Sequence, residues 1–185
     1  IMNFILTATN FIFPLITFPY VSRILLSEGT GKIAFVTSVM NYFLMVASLG
    51  IPTYGIRACA KVRENKKELS RVSQEIFLIN SVTTVLCVGA YLLSVLLVPQ
   101  FRAEKTLFFI NAVNLVLNLF GMNWLYQALE QYDYITLRSI VFKIVSVGLM
   151  FLLVHQEGDY VVYGAISVFA AAGSNLLNFF RARKY

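Results

Sequence analysis

Lys143 lies well inside an apolar run, with Ser139 and Ser146 beside it at helical spacing. At ~1.5 Å of rise per residue it stands ~12 Å along a helix that starts at Ile135. An ammonium at such a depth costs ~2.5–3.5 kcal/mol on insertion scales. Two readings fit: the side chain snorkels to the headgroups, or it faces a hydrated path. Arg23 and Arg57 close the first two apolar runs at opposite surfaces, as interfacial anchors or as substrate contacts. Asn111, Asn114 and Asn118 share one helical face with Gly121. An amide left unpaired in hydrocarbon is costly, so each needs a polar neighbour or a wet cavity. Asn41 shares a second such face with Ala34, Ser38, Met45, Ser48 and Pro52. None of the nine acidic residues falls in the middle of an apolar run. Cations and amides without carboxylates favour a negatively charged cargo and disfavour a cation carrier. Arg23, Asn41, Arg57, Asn111, Asn114, Asn118 and Lys143 are therefore the candidate substrate-path residues.

Reaction chemistry has much less to stand on. His155 is the lone histidine and has no Cys or His neighbour to share a metal. Cys59 lies in a basic stretch and Cys87 deep in an apolar run, so they do not pair. Gly29-Thr30-Gly31-Lys32 fails the phosphate-loop pattern, because Leu26 stands where its first glycine belongs and Ile33 where Ser or Thr must follow. No nucleophile–His–acid set and no metal-ligand cluster appears, so neither a catalytic residue nor a cofactor is expected.

The elements that must position these residues follow from composition. The chain has 185 residues, 58% hydrophobic and only 13% charged, with mean hydropathy +0.74. Soluble domains run near ~45–50% apolar and ~25% charged. That apolar excess cannot hide inside a core of this size, so lipid is the solvent. Six runs reach the ~20 residues a spanning helix needs: about 3–26, 33–55, 74–98, 106–128, 135–154 and 160–180. The expectation is an all-α polytopic membrane protein, with 1–185 as one six-helix domain. Pro14 and Pro19 are expected to kink the first helix. That first run is too long for a signal peptide and ends in no small-residue cleavage site. The start on Ile1 suggests further residues upstream.

Net charge is +6. Nucleic acid is not needed to explain it, because positive cytoplasmic loops do. With the N-terminus inside, Arg57, Lys61, Arg63, Lys66, Lys67, Arg71, Arg138, Arg181, Arg183 and Lys184 are cytoplasmic. Only Arg23, Lys32, Arg102 and Lys105 fall outside. Both termini are therefore expected in the cytoplasm.

Three stretches carry a resemblance. Phe18-Pro19-Tyr20-Val21-Ser22-Arg23-Ile24-Leu25 with Glu28-Gly29-Thr30-Gly31 is the first, and Leu49-Gly50-Ile51-Pro52-Thr53-Tyr54-Gly55-Ile56-Arg57 with Ala60-Lys61-Val62-Arg63 the second. Asn123-Trp124-Leu125-Tyr126-Gln127 with Glu130 is the third, followed by Asp159-Tyr160 and Tyr163-Gly164. The chain resembles, over essentially its whole length, bacterial polysaccharide-transport proteins. These are the O-antigen and capsule repeat-unit flippases of the multidrug/oligosaccharidyl-lipid/polysaccharide exporter superfamily. It departs from them at Leu26-Ser27, where Gly-Pro is usual, and at Ala58, where an acid commonly follows the arginine.

The resemblance implies the N-terminal lobe of a two-lobe transporter in the bacterial plasma membrane. Its cargo would be an oligosaccharide on undecaprenyl pyrophosphate. Its partners would be membrane lipids, a C-terminal lobe and the polysaccharide polymerase machinery. A drug or cation antiporter on the same fold is the nearest alternative, and it would want intramembrane carboxylates. A membrane-embedded glycosyltransferase or ligase would want an acid or histidine beside a large outer loop. A structural partner of the polysaccharide machinery is a third class.

Overall fold

The computed structural model describes residues 2–182, with side-chain surroundings given at Ala8 and from Phe11 onward. Arg183 and Lys184 of the basic C-terminal end lie outside the described residues. Helix α1 runs Met2–Ser48. As one straight rod, its 47 residues would measure ~70 Å, over twice a ~30 Å hydrocarbon layer. Leu26 resolves this with φ 53° and ψ −169°, the one non-helical residue in α1. Helical backbone runs through Pro14 and Pro19, and the interruption at Leu26 falls at the end of the first expected run.

The remaining elements are α2 Ile51–Lys61, α3 Lys66–Leu97, α4 Pro99–Ala103, α5 Lys105–Gly121, α6 Asn123–Ala128 and α7 Tyr132–Leu153. A 3-10 turn, Glu157–Asp159, then leads into α8 Tyr160–Val168, a π-helical segment Phe169–Gly173 and α9 Asn175–Ala182. Among the described residues, five segments are long and apolar enough to cross a membrane: Phe11–Lys61, Lys66–Leu97, Lys105–Ala128, Tyr132–Leu153 and Glu157–Ala182. The six expected runs fall on these five, the first two sharing the 51-residue segment that Leu26 interrupts. The chain is an all-α polytopic membrane protein.

Local chemistry explains where helices start and stop. Asn65 caps α3, its side-chain oxygen accepting the N–H groups of Lys67 at 3.1 Å and Glu68 at 3.4 Å. This satisfies two of the donors that open every helix. Pro52 and Pro99 stand in the first turns of α2 and α4, where a missing N–H costs nothing. Asp159 receives the N–H groups of His155 and Gln156, each at 2.9 Å, and so closes the turn before α8.

Among the described residues, three apolar clusters hold the bundle together. Val21 and Leu25, before the Leu26 interruption, pack with Met150, Val154 and Ile166. Val36, Met40 and Ala47, after it, pack with Cys87, Tyr91, Val95, Leu107 and Phe108. Ile51 and Cys59 of α2 pack with Leu69, Ile76, Trp124 and Leu125. Outside, large side chains such as Leu78, Leu86, Leu93, Leu97 and Leu152 are left exposed. Such an apolar exterior suits hydrocarbon and not water.

A strut ties the turns at one end. The Lys32 ammonium lies 2.9 Å from Glu28 and 3.1 Å from Glu104, and 5.0 Å from the Tyr160 ring centre. At the opposite end, which is rich in Lys and Arg, Arg63 pairs with Glu130 at 3.0 Å.

Candidate functional site

Two helices break near that basic end, and a pocket forms between the breaks. The first break follows Ser48, where Leu49 and Gly50 take φ 36° and 73°. The second follows Gly121, where Met122 takes φ 40°. Left-handed residues of this kind stop a helix and let a new one start in another direction. The new helices, α2 and α6, pack on each other. Gly55 sits so close to Trp124 that an added Cβ would come within 2.8 Å of the indole.

The pocket between the breaks has a volume of about 200 Å³ and is lined by Ser48, Ile51, Pro52, Asn80, Asn118, Met122, Asn123, Trp124 and Gln127. No lining residue is charged. A second, much smaller space shares Ser48, Asn80 and Asn118 with it and is lined also by Thr84 and Leu115. Ser48 donates its hydroxyl hydrogen to the Leu44 carbonyl at 2.8 Å, leaving oxygen lone pairs free to accept. The half-buried side-chain amides of Asn80, Asn118 and Gln127 have no hydrogen-bond partner among the described residues.

Beneath the pocket the polar groups are engaged. Asn123 Oδ1 accepts from Arg138 Nη2 at 3.2 Å and from Asn178 Nδ2 at 3.0 Å. With its oxygen used twice, the hydrogen-bonding capacity left to Asn123 is its Nδ2 donors. Asn178 also donates to the Gly121 carbonyl and, through its own main-chain carbonyl, accepts the Tyr126 hydroxyl at 2.6 Å. Arg138 donates from Nη1 to the Ser174 carbonyl at 3.0 Å. Arg138 is 8% exposed and Asn178 not at all. No carboxylate pairs with Arg138 among the described residues. Its Nε and Asn178 Oδ1 have no partner among those residues. The Tyr134 ring lies 5.9 Å from the Arg138 guanidinium and 3.9 Å from that of Arg181. Ser174 follows the π-helical segment, a widened turn of the kind often found at functional sites.

The seven residues singled out from sequence separate into three groups. Asn118 lines the pocket. Asn114 and Asn111, one and two turns along the same face, are buried in the helix packing, and Asn111 donates to the Leu107 carbonyl at 3.0 Å. Arg23 and Asn41 on α1 and Arg57 on α2 are exposed, and Lys143 on α7 is half-buried; none of these four lines the pocket. Asn41 turns outward together with Ser38 and Met45, so the polar stripe of that helix faces away from the bundle and reaches the pocket at Ser48 and Pro52. Sequence alone offers Asn80 only as a member of a polar stripe, Asn123 and Gln127 only within a motif, and Arg138 only as a basic residue near a helix end. The available signal for Arg138 is its position one turn inside a predicted span.

The family described as Polysaccharide biosynthesis protein matches residues 1–185. An O-antigen transporter by name from Escherichia coli (strain K12) is 26% identical over 162 residues, covering 88% of this chain and 39% of that protein. A protein of the same name from Shigella dysenteriae is 22% identical over 161 residues, covering 87% of this chain and 40% of its own. The chain thus spans about two-fifths of the length of these curated relatives. No solved structure matches it. With its whole length matched, this chain belongs to the polysaccharide biosynthesis protein family.

Proposed function

We propose that this chain forms one lobe of a two-lobe transporter that moves undecaprenyl-pyrophosphate-linked oligosaccharide units across the bacterial plasma membrane. The outward polar stripe of α1 carries the reading. Ser38 and Asn41 turn away from the bundle, and an uncovered amide in hydrocarbon is costly. A second lobe facing this stripe across a wet cavity removes that cost, and alternating access by one lobe rocking on the other needs such a cavity. Arg23, Arg57 and Lys143 are the cations of this chain assigned to the anionic diphosphate or to acidic sugars. A drug or cation antiporter would want a carboxylate near the pocket, and the lining has none. Positive charge gathers at the end of the bundle holding Lys61, Arg63, Lys66, Lys67 and Arg71, so that end and both termini are assigned to the cytoplasm.

Complementation of a flippase-deficient strain tests the reading, with surface polysaccharide as readout. Full-length protein should restore polymer, and residues 1–185 alone should not. Polymer restored by the single lobe would overturn the two-lobe reading, and no polymer from the full-length protein would overturn the cargo.

A further inference from the structure

The pocket between the two helix breaks is lined by hydrogen-bonding side chains that the protein itself does not use. Asn80, Asn118 and Gln127 lack partners among the described residues, Asn123 keeps two donors, and Ser48 keeps oxygen lone pairs. Unused amides at this density in an apolar bundle are costly unless something polar fills the space. An ion is a poor occupant. A bound anion would want a cation in the wall, a bound cation a carboxylate, and the lining has neither. A flat apolar molecule is equally poor, because it would strand every amide. Trp124 and Pro52 add apolar surface beside the amides. A ring that offers hydroxyls at its edge and C–H groups on its face matches both kinds of wall. The volume, about 200 Å³, suits one such ring rather than a chain.

We propose that this pocket binds a single uncharged sugar ring, with Asn80, Asn118 and Gln127 exchanging hydrogen bonds with its hydroxyls and with Pro52 and the small exposed part of the Trp124 indole as the apolar wall. The assignment rests on the transport reading above and adds to it a subsite for a neutral sugar, separate from Arg23, Arg57 and Lys143. Asn123 is pre-oriented as a donor, because Arg138 and Asn178 hold its oxygen from below and so fix its N–H groups before a ligand arrives. Such fixing reduces the ordering cost of binding. The outward stripe of α1 ends at Ser48 and Pro52 on the pocket wall, so a sugar moving along that stripe reaches the pocket directly.

Trp124 is the one tryptophan in these 185 residues, which supplies a reporter. The full-length protein, reconstituted in lipid nanodiscs with any other tryptophan replaced by Phe, is titrated with methyl glycosides of neutral hexoses and N-acetylhexosamines. A saturable change in Trp124 emission is expected. Asn118→Leu and Asn80→Leu should each weaken it roughly ten-fold, the loss of about one hydrogen bond. Sodium chloride and inorganic pyrophosphate should leave the emission unchanged. A response to either salt instead of the glycosides would make the pocket an ion site. Silence towards every glycoside would make it a water-filled space, and an undiminished response in both variants would place binding elsewhere. Each of these three results overturns the assignment. Surface polymer separates the two claims. If full-length protein exports polymer while Trp124 stays silent, the subsite falls alone. If glycosides bind but no polymer is exported, the transport reading falls.

Discussion

Asn123 occupies a hinge between two environments, with its oxygen in a dry network and its nitrogen at a pocket. Arg138 is the residue that keeps it so. A buried guanidinium with no carboxylate partner is retained only where its hydrogen bonds are good. Replacing Arg138 by Ala removes donors from Asn123 and from the Ser174 carbonyl. The expected cost is ~2 kcal/mol, in the range for hydrogen bonds to a charged group. Arg138→Lys should recover only part of it, because a point charge cannot hold both acceptors in one plane. Thermal unfolding of the full-length protein in detergent, followed by Trp124 emission, measures both; equal stability of wild type and Arg138→Ala would refute the role. Asn118 could be found from sequence because three asparagines repeat at helical spacing. Arg138 could not, because a lone arginine near a span end looks like any interfacial anchor until Asn123 and Asn178, distant in sequence, are seen to meet it.

The helices themselves were legible, because ~20-residue apolar runs leave few alternatives in lipid. Their interruptions were less so. Leu49-Gly50-Ile51-Pro52 carries a stop signal and a start signal back to back, yet hydropathy alone runs straight through it. At Met122 only the preceding Gly121 gave a hint. At Leu26 the polar stretch Ser27-Glu28-Gly29-Thr30-Gly31-Lys32 marked the boundary, and the first two expected runs accordingly stop at 26 and resume at 33, although helical backbone continues through that stretch. Gly50 offers a direct test of what the first break is worth. Its φ is +73° and nothing lies within 4 Å of where a Cβ would be, so Gly50→Ala meets no clash. Only the backbone preference opposes it, and a loss of ~1 kcal/mol is expected. Gly50→Asn should lose less, since Asn visits this conformation more readily. Gly55→Ala differs in kind, because its Cβ would press on Trp124. Denaturant or thermal midpoints should fall least for Gly50→Asn, further for Gly50→Ala and furthest for Gly55→Ala; an undamaged Gly50→Ala would mean that the break relaxes freely.

At the scale of the whole molecule, the two ends differ in chemistry: one has the Glu28–Lys32–Glu104 strut, the other the basic residues around Arg63. The topology that follows is testable by cysteine labelling in intact cells. Gly158 has open space around it and Lys66 is exposed, while Cys59 and Cys87 are buried and contribute little background. An impermeant reagent should label Gly158→Cys and spare Lys66→Cys, and the reverse pattern would invert the assignment. The Leu26 interruption has a consequence for biosynthesis. Helical backbone resumes at once after it, so only the short polar stretch 27–32 separates the two apolar lengths of α1. A ribosome that has delivered the first length to the membrane holds the second only a few residues behind. Both lengths are apolar, so neither is stable in water while the other inserts. The two lengths are therefore expected to enter the membrane close together in time, ahead of every later helix of the chain.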